Sequence, residues 1–425
     1  MLKRTGKIGG KLMVERKITP YGIVFFAFYF FWNLAHAGTP IHGAKAGGMA
    51  AAFVAVCDDP SAILHNPAGI ANLEGTRLYG GATAVTGSVE FENSSGQTEE
   101  AEDKFYFPPH AYATSDFNLE KMTFGLGLYS PFGIGGRELS DDGLTRYLST
   151  ENLISTFSVN PVFAYRIIPQ AFIGFGVFYL YASNEAERMI DQSALGHSDG
   201  RFSMEGDGGG LGYNLGLLLF PESQISFGMT YRSKVDVDQD IDIRLTNLAP
   251  ALHPLTGGSG VSFDAKTRLE FPEVLSFGLA YRPTDSLTLA VELEWTGWSS
   301  FDRADVDLEN EIPHAGISDF VLDYDYDDTW FYKIGVDYKF TAEWSIRAGY
   351  AYVESPVPGR TLNPANPDAD QHNFGLGVGY AKEKWHFDVF YMADKFEKRS
   401  VDNEFVNGEF ETFGHFAGLS IGYLF

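Results

Sequence analysis

After about residue 76, large apolar side chains recur at every second position, with glycine, small or charged residues between them. In Phe124-Gly125-Leu126-Gly127-Leu128 and Phe374-Gly375-Leu376-Gly377-Val378-Gly379-Tyr380, glycines fill the second parity. Leu287, Leu289, Val291, Leu293 and Trp295 alternate with Thr288, Ala290, Glu292 and Glu294. Trp330, Tyr332, Ile334, Val336 and Tyr338 alternate with Phe331, Lys333, Gly335 and Asp337. A period of two is the signature of strands with one apolar face. Segments of this kind centre near residues 84, 111, 126, 160, 176, 214, 228, 274, 291, 333, 348, 376, 389 and 419. Their connections alternate between long stretches, such as 132–151 and 236–264, and short turns, such as Asp116–Glu120 and Lys382–Lys384. Long connections on one rim and tight turns on the other predict an up-and-down antiparallel barrel. In a soluble sandwich the apolar face packs inward and its opposite meets water. Here the opposite face is small or charged, and aromatics collect near strand ends, as in a lipid-facing band about 25 Å tall between aromatic girdles.

The N-terminus and the charge add to this picture. Lys3, Arg4, Lys7, Lys11, Arg16 and Lys17 precede an apolar run from Tyr21 to Trp32 and the small residues Ala35-His36-Ala37, an order that predicts a secretory signal peptide over residues 1–37. Its removal takes away six basic residues and one acidic residue and shifts the formal charge from −25 to −30. No later stretch approaches the roughly 18 consecutive apolar residues of a spanning helix. An acidic chain has no basic stripe for phosphates, which argues against nucleic-acid binding. The single cysteine excludes a disulfide framework and any Cys-based zinc site. No metal or cofactor is expected.

Residues 38–75 do not alternate. Asp59-Pro60-Ser61-Ala62 pairs an N-cap with proline at the first helical position, and Asn66-Pro67-Ala68-Gly69 repeats the device seven residues on. Pro67 disfavours helix at Asn66, so the first helix must stop near His65. Short helices with so few large side chains make no independent core, and a fourteen-stranded barrel has room inside. The expected architecture is an all-β, fourteen-stranded antiparallel transmembrane barrel over residues 76–425, with a small helical hatch, residues 38–75, inside its lumen. An even strand number puts both termini on the short-turn rim, the periplasmic side of an outer-membrane barrel.

Asp58-Asp59-Pro60-Ser61-Ala62-Ile63, Asn66-Pro67-Ala68-Gly69-Ile70 and Leu73-Glu74-Gly75-Thr76 resemble the N-terminal hatch of the FadL/TodX family of outer-membrane transporters. Tyr129-Ser130-Pro131-Phe132-Gly133 and Asn160-Pro161 with Ala164-Tyr165-Arg166 are similar to further family patterns. The terminal run Leu419, Ile421, Tyr423 and Phe425 resembles the last strand of bacterial outer-membrane barrels, whose final aromatic is read by the barrel assembly machinery. The resemblance implies passive uptake of long-chain fatty acids or other hydrophobic compounds. The ligand binds inside, shifts the hatch, and leaves sideways through a gap at a kink in the third strand. The hatch motif is then Asp59, Pro60, Asn66, Pro67, Ala68 and Gly69. The kink candidates are Gly125, Gly127, Ser130 and Pro131, since glycine and proline weaken strand pairing.

By parity, Phe178, Leu180, Leu218, Phe331, Phe390 and Met392 point inward, where a porin would be polar. They are candidates for an apolar ligand path or for packing against the hatch. The Thr341–Glu343 turn sets Asp337 opposite Arg347, which predicts a structural ion pair. Glu292 and Glu294 face the same side, and wall ion pairing is favoured there over acid/base catalysis. Asp236, Asp238, Asp240 and Asp242 alternate with Val235, Val237, Ile241 and Ile243, continuing a strand above the membrane, and Asp323, Asp325, Asp327 and Asp328 interleave with Tyr324 and Tyr326; both stretches read as a solvated outer surface. Divalent cations bridging to lipopolysaccharide phosphates are the alternative use. The spacing of a Ca²⁺ loop is absent. The expected partners are a hydrophobic small molecule, outer-membrane lipid and lipopolysaccharide. The competing functional readings are a general diffusion porin for polar solutes, or an outer-membrane adhesin or enzyme.

Overall fold

The computed structural model describes residues 42–312 and 317–425. The signal-peptide segment 1–37 lies outside the described residues. The described chain forms a closed barrel of 14 antiparallel strands. In chain order these are β1 (Thr76–Asn93), β2 (Pro109–Ser115), β3 (Met122–Tyr129, resuming at Ile134–Glu138), β4 (Glu151–Ile168), β5 (Ala171–Ile190), β6 (Gly200–Leu219) and β7 (Ile225–Arg232, then Val235–Thr246). There follow β8 (Val261–Phe271, then Val274–Thr284), β9 (Leu287–Thr296, then Arg303–Leu308), β10 (Phe320–Asp323, then Thr329–Lys339), β11 (Trp344–Val353), β12 (Gln371–Lys382), β13 (Trp385–Phe396, then Arg399–Asp402) and β14 (Asn407–Leu424). β1 closes the cylinder on β14 in unbroken register from Arg77↔Leu424 to Asn93↔Gly408. The chain end packs on the short-turn rim: Leu424 N–H donates to Lys384 O at 2.9 Å and Phe425 N–H to Thr76 O at 3.0 Å. No helix among the described residues is long and apolar enough to cross a membrane.

The alternation read from sequence is the alternation of exposure. In β10, Trp330, Tyr332, Ile334, Val336 and Tyr338 are exposed, whereas Phe331, Lys333, Gly335 and Asp337 are buried. A continuous exposed apolar band of this kind is a surface for lipid. Several segments expected as long loops are instead strand. β5 and β6 are 20 residues each, against roughly 10 needed to cross the hydrocarbon layer. Above the band the pattern inverts. Val235, Val237, Ile241, Ile243 and Leu245 are buried while Asp236, Asp238, Asp240 and Asp242 are exposed. The inner faces of these extensions share one apolar cluster with Trp298, Phe301, Tyr324 and Tyr326. Each fully buried aliphatic side chain there contributes about 1.5–3 kcal/mol, so the upper barrel is held by a core of its own.

Residues His42–Gly75 fill the lower lumen. A helix at Ala44–Gly48, a second at Ala62–His65 and a 3₁₀ turn at Pro67–Asn72 pack into one cluster with wall residues such as Tyr112, Phe172 and Leu218. The lumen-facing glycines make this possible. A Cβ on Gly349 would lie 2.2 Å from Met49 C, and one on Gly375 2.7 Å from Gly47 O.

Candidate functional site

The wall supplies the hydrogen bonds that the buried segment's backbone would otherwise find in water. Asn66 accepts from Ala68 N–H at 3.2 Å, capping the 3₁₀ turn, and its Nδ2 donates to Val54 O and to Leu217 O at 2.9 and 3.0 Å. Asp59 receives the Ser61 N–H at 2.8 Å. Asn214 Nδ2 donates to Ile63 O at 3.1 Å, Arg232 to Leu64 O at 3.0 Å, Arg166 to Ala71 O at 3.1 Å, and Ser226 Oγ to Ala55 O at 2.8 Å. Glu292 receives the N–H groups of both Phe53 and Val54 at 2.9 Å, and Lys333 bridges Glu292 and Glu294 at 2.9 Å each. The two glutamates thus hold a lysine and a stretch of backbone. Arg347 lies 3.2 Å from Asp337 and 2.6 Å from Asp388, and Lys45 ties the buried segment to Asp337 at 3.3 Å.

Beside this plug the wall has a seam. β2 pairs with β3 only from Ala111↔Leu128 to Ser115↔Phe124. Extending that register would set Pro109 against Ser130 and Pro108 against Pro131. All three prolines lack an N–H, so no ladder can form there. On its other side, β3 pairs with β4 as far as Tyr129↔Ser158 and resumes at Ile134↔Ser155. Ser130–Gly133 therefore bulge by two residues, with Gly133 at φ +82°. Thr156 staples the bulge by donating N–H and Oγ1 to Gly133 O at 3.1 and 2.9 Å. His42 Nε2 donates to Ser130 O. Phe132 turns inward against Phe271 and Trp298, ring centroids 4.8 and 6.2 Å apart. The bulge is thereby gripped from the plug below and the aromatic cluster above.

One expectation needs correction, and one that stood open between path and packing resolves here toward packing. Gly125 and Gly127 do not mark the break: both are paired with β4, at Gly125↔Val162 and Gly127↔Asn160. They are glycine because a Cβ would lie 2.7 Å from Ile63 Cδ1 and 2.8 Å from Ile63 Cγ2 respectively. The break lies at Ser130 and Pro131, and its other lip, Pro108-Pro109, went unread although the two adjacent prolines signalled it. The six inward apolar candidates do point inward, but none lines the cavity at the seam. Leu218 packs in the plug cluster, Phe331, Phe390 and Met392 against Ala44 and Ala50, and Phe178 and Leu180 in the upper core. Inward parity served packing as well as it would have served a path.

The cavity holds about 1070 Å³ of atom-free space, partly continuous with solvent. It runs from the bulge (Ser130–Arg137) along β1 and β14 to Asn373 and Asp394 on the far wall, with Val85, Phe396 and Phe416 among its apolar lining. Phe105 and Phe107 flank its outer lip and are 63% and 62% exposed. The site thus joins a stoppered lumen, a largely apolar cavity and a breach in the wall at lipid height.

A stoppered membrane barrel with a wall breach defines a transport protein of the outer membrane rather than an open pore. Residues 34–414 match the family described as outer membrane protein transport protein (OMPP1/FadL/TodX), and the chain belongs to it. A long-chain fatty acid transport protein of Escherichia coli O6:H1 is 23% identical over 380 residues, covering 81% of this chain and 83% of that protein. The crystal structure of a Pseudomonas aeruginosa FadL homologue superposes with a TM-score of 0.80 at 20% identity, covering 92% of this chain and 100% of the other. That of the P. putida toluene transporter TodX gives 0.72 at 17% identity, covering 92% and 99%.

Proposed function

We propose that this chain carries hydrophobic small molecules, long-chain fatty acids or hydrocarbons, passively across the outer membrane, without cofactor or catalysis. Residues 1–37 are removed on export, residues 38–75 form the hatch, and the barrel of residues 76–425 sits with its short turns and both ends in the periplasm. The barrel assembly machinery inserts it through its terminal aromatic strand, and lipopolysaccharide surrounds its acidic upper wall.

The observation that carries this reading is the β2–β3 seam, placed where the cavity meets the lipid-facing band. A hydrophobe gains about 0.8 kcal/mol per CH₂ withdrawn from water. It moves from the cavity through the seam into the bilayer without re-entering water. An exposed break in a membrane strand is costly because lipid cannot satisfy backbone groups, and prolines on both lips remove donors that would be orphaned. Withdrawal of the hatch would bare Leu218, Phe331, Phe390 and Met392 to the lumen, extending the apolar path. The stoppered lumen speaks against a general porin. Uptake of labelled fatty acid and labelled toluene, in cells with and without the gene, tests the proposal. Gene-dependent uptake of either is expected, and equal accumulation of both compounds in both strains would refute it.

A further inference from the structure

The cavity's two ends differ in chemistry. At the end away from the seam, Asp394 is 2% exposed and Asn373 3% exposed, and they are direct cross-strand neighbours. Asp394 Oδ1 and Asn373 Oδ1 have no hydrogen-bond partner among the described residues. The next strand offers none, because the residue opposite Asp394 on β14 is Gly414. Near the bulge, His42 donates through Nε2 to Ser130 O, which leaves its buried Nδ1 as an acceptor, also without a partner. Ser130 Oγ is buried and unpartnered as well. A buried carboxyl with neither cation nor donor is expensive, and the same cavity is lined, among the described residues, by five unpartnered polar atoms, Arg137 Nη1 being the fifth.

We propose that the Asp394–Asn373 end is a polar subsite for a hydrogen-bond-donating head group. The chain then prefers neutral hydroxylated hydrophobes, such as phenols and alcohols, over the parent hydrocarbons. This deepens the transport reading and rests on it. A hydroxyl donates a hydrogen bond to Asp394 Oδ1 while Val85, Phe396 and Phe416 cover the apolar body. The cations on this cavity are Lys104, paired with Glu138, and Arg137 on the upper arm of β3. A site built to bond a hydroxyl rejects the analogue lacking it, because its own polar groups then stay unpaired.

The test is gene-dependent uptake of p-cresol and toluene at sub-saturating concentration, by cells expressing the full chain or its variants. The wild type is expected to take up p-cresol on the order of tenfold better than toluene, the worth of one hydrogen bond to a strongly polar group. In Asp394→Leu the ratio of p-cresol to toluene uptake should fall toward one, and in Asp394→Asn, which keeps an acceptor, it should fall less. Asn373→Leu repeats the test from the neighbouring strand should Asp394→Leu fail to assemble, judged by heat-modifiable migration. Equal p-cresol and toluene uptake by the wild type, or a preference that survives Asp394→Leu, overturns the subsite and leaves transport standing. Absence of gene-dependent uptake of both overturns the transport reading and the subsite with it.

Discussion

The lower and upper halves of this barrel use the same strands with opposite polarity. In the lower half of β10 the outward face is Trp330, Tyr332, Ile334, Val336 and Tyr338, and the inward face carries Lys333 and Asp337. In the upper arm of β7 the outward face is Asp236, Asp238, Asp240 and Asp242, and the inward face Val235, Val237, Ile241 and Ile243. Period-two alternation continues through both, but the solvent changes. Below, lipid takes the apolar face and the lumen is filled by a segment bound through hydrogen bonds. Above, water takes the acidic face and the lumen is filled by a hydrophobic core. The seam and its cavity lie where the two regimes meet. There the bulge is held by a polar contact from below, His42, and an aromatic one from above, Phe271 with Trp298.

Substitutions separate the two regimes. The largest effect is expected in the upper core, where Trp298→Ala empties a 2%-exposed site and costs about 3–5 kcal/mol. Limited proteolysis of the upper arms should quicken while the lipid-embedded strands stay intact. If the whole barrel unfolds together, the halves are not separate. Next is the lipid face: Ile334→Arg should cost about 2–4 kcal/mol in vesicle refolding titrations, whereas Asp240→Ala, outward on the upper arm, should stay within about 0.5 kcal/mol. Similar costs for the two would place both in one solvent.

Smaller is the loosening of the plug by Glu292→Gln, which keeps one acceptor for Phe53 and Val54 N–H but removes the charge facing Lys333. Loss of about 1–3 kcal/mol should show as faster hydrogen exchange at those two amides, with the upper core unaffected. Of comparable size is a pH effect. Burial lowers the pKa of His42 from 6.5 to about 4 and that of His65 from 6.5 to about 3. The packed state therefore binds fewer protons than the released one. Its stability is full above pH 6.5 and is lost progressively as pH falls toward 4 and below. Exchange at Ala68 should be faster at pH 5 than at pH 7.5, and His42→Gln should flatten that dependence.

Much of this was legible in the sequence for a physical reason: alternation, turn residues and caps are local. Each of the fourteen expected strand centres falls in or beside a strand, and Asn66 caps the turn that follows it. What failed was non-local. Gly125 reads as a weak strand position, but its partner is Ile63, sixty-two residues back. The alternation of Val235, Val237, Ile241 and Ile243 with aspartates read as a strand continuing above the membrane, and it is one, whereas the upper arms of β5 and β6 read as loops because few large apolar residues mark their inner faces. Trp298 and Phe301 lie in a segment without periodicity, and only the closed barrel gathers them with Tyr324 and Tyr326 over Phe132. Pro108-Pro109 and Ser130-Pro131 became one feature only once the β2–β3 register set them face to face.

The central claim, sideways exit through the β2–β3 seam, is tested most directly by deleting Pro131 and Phe132 in a chain that also carries Pro108→Thr and Pro109→Thr. The deletion removes the two-residue excess and restores one continuous register between β3 and β4, and the two substitutions return the N–H donors that the β2 lip lacks. The account predicts a variant that assembles and shows heat-modifiable migration like the wild type, yet takes up labelled toluene and labelled fatty acid no faster than cells lacking the gene. Undiminished uptake by the closed-seam barrel would contradict it.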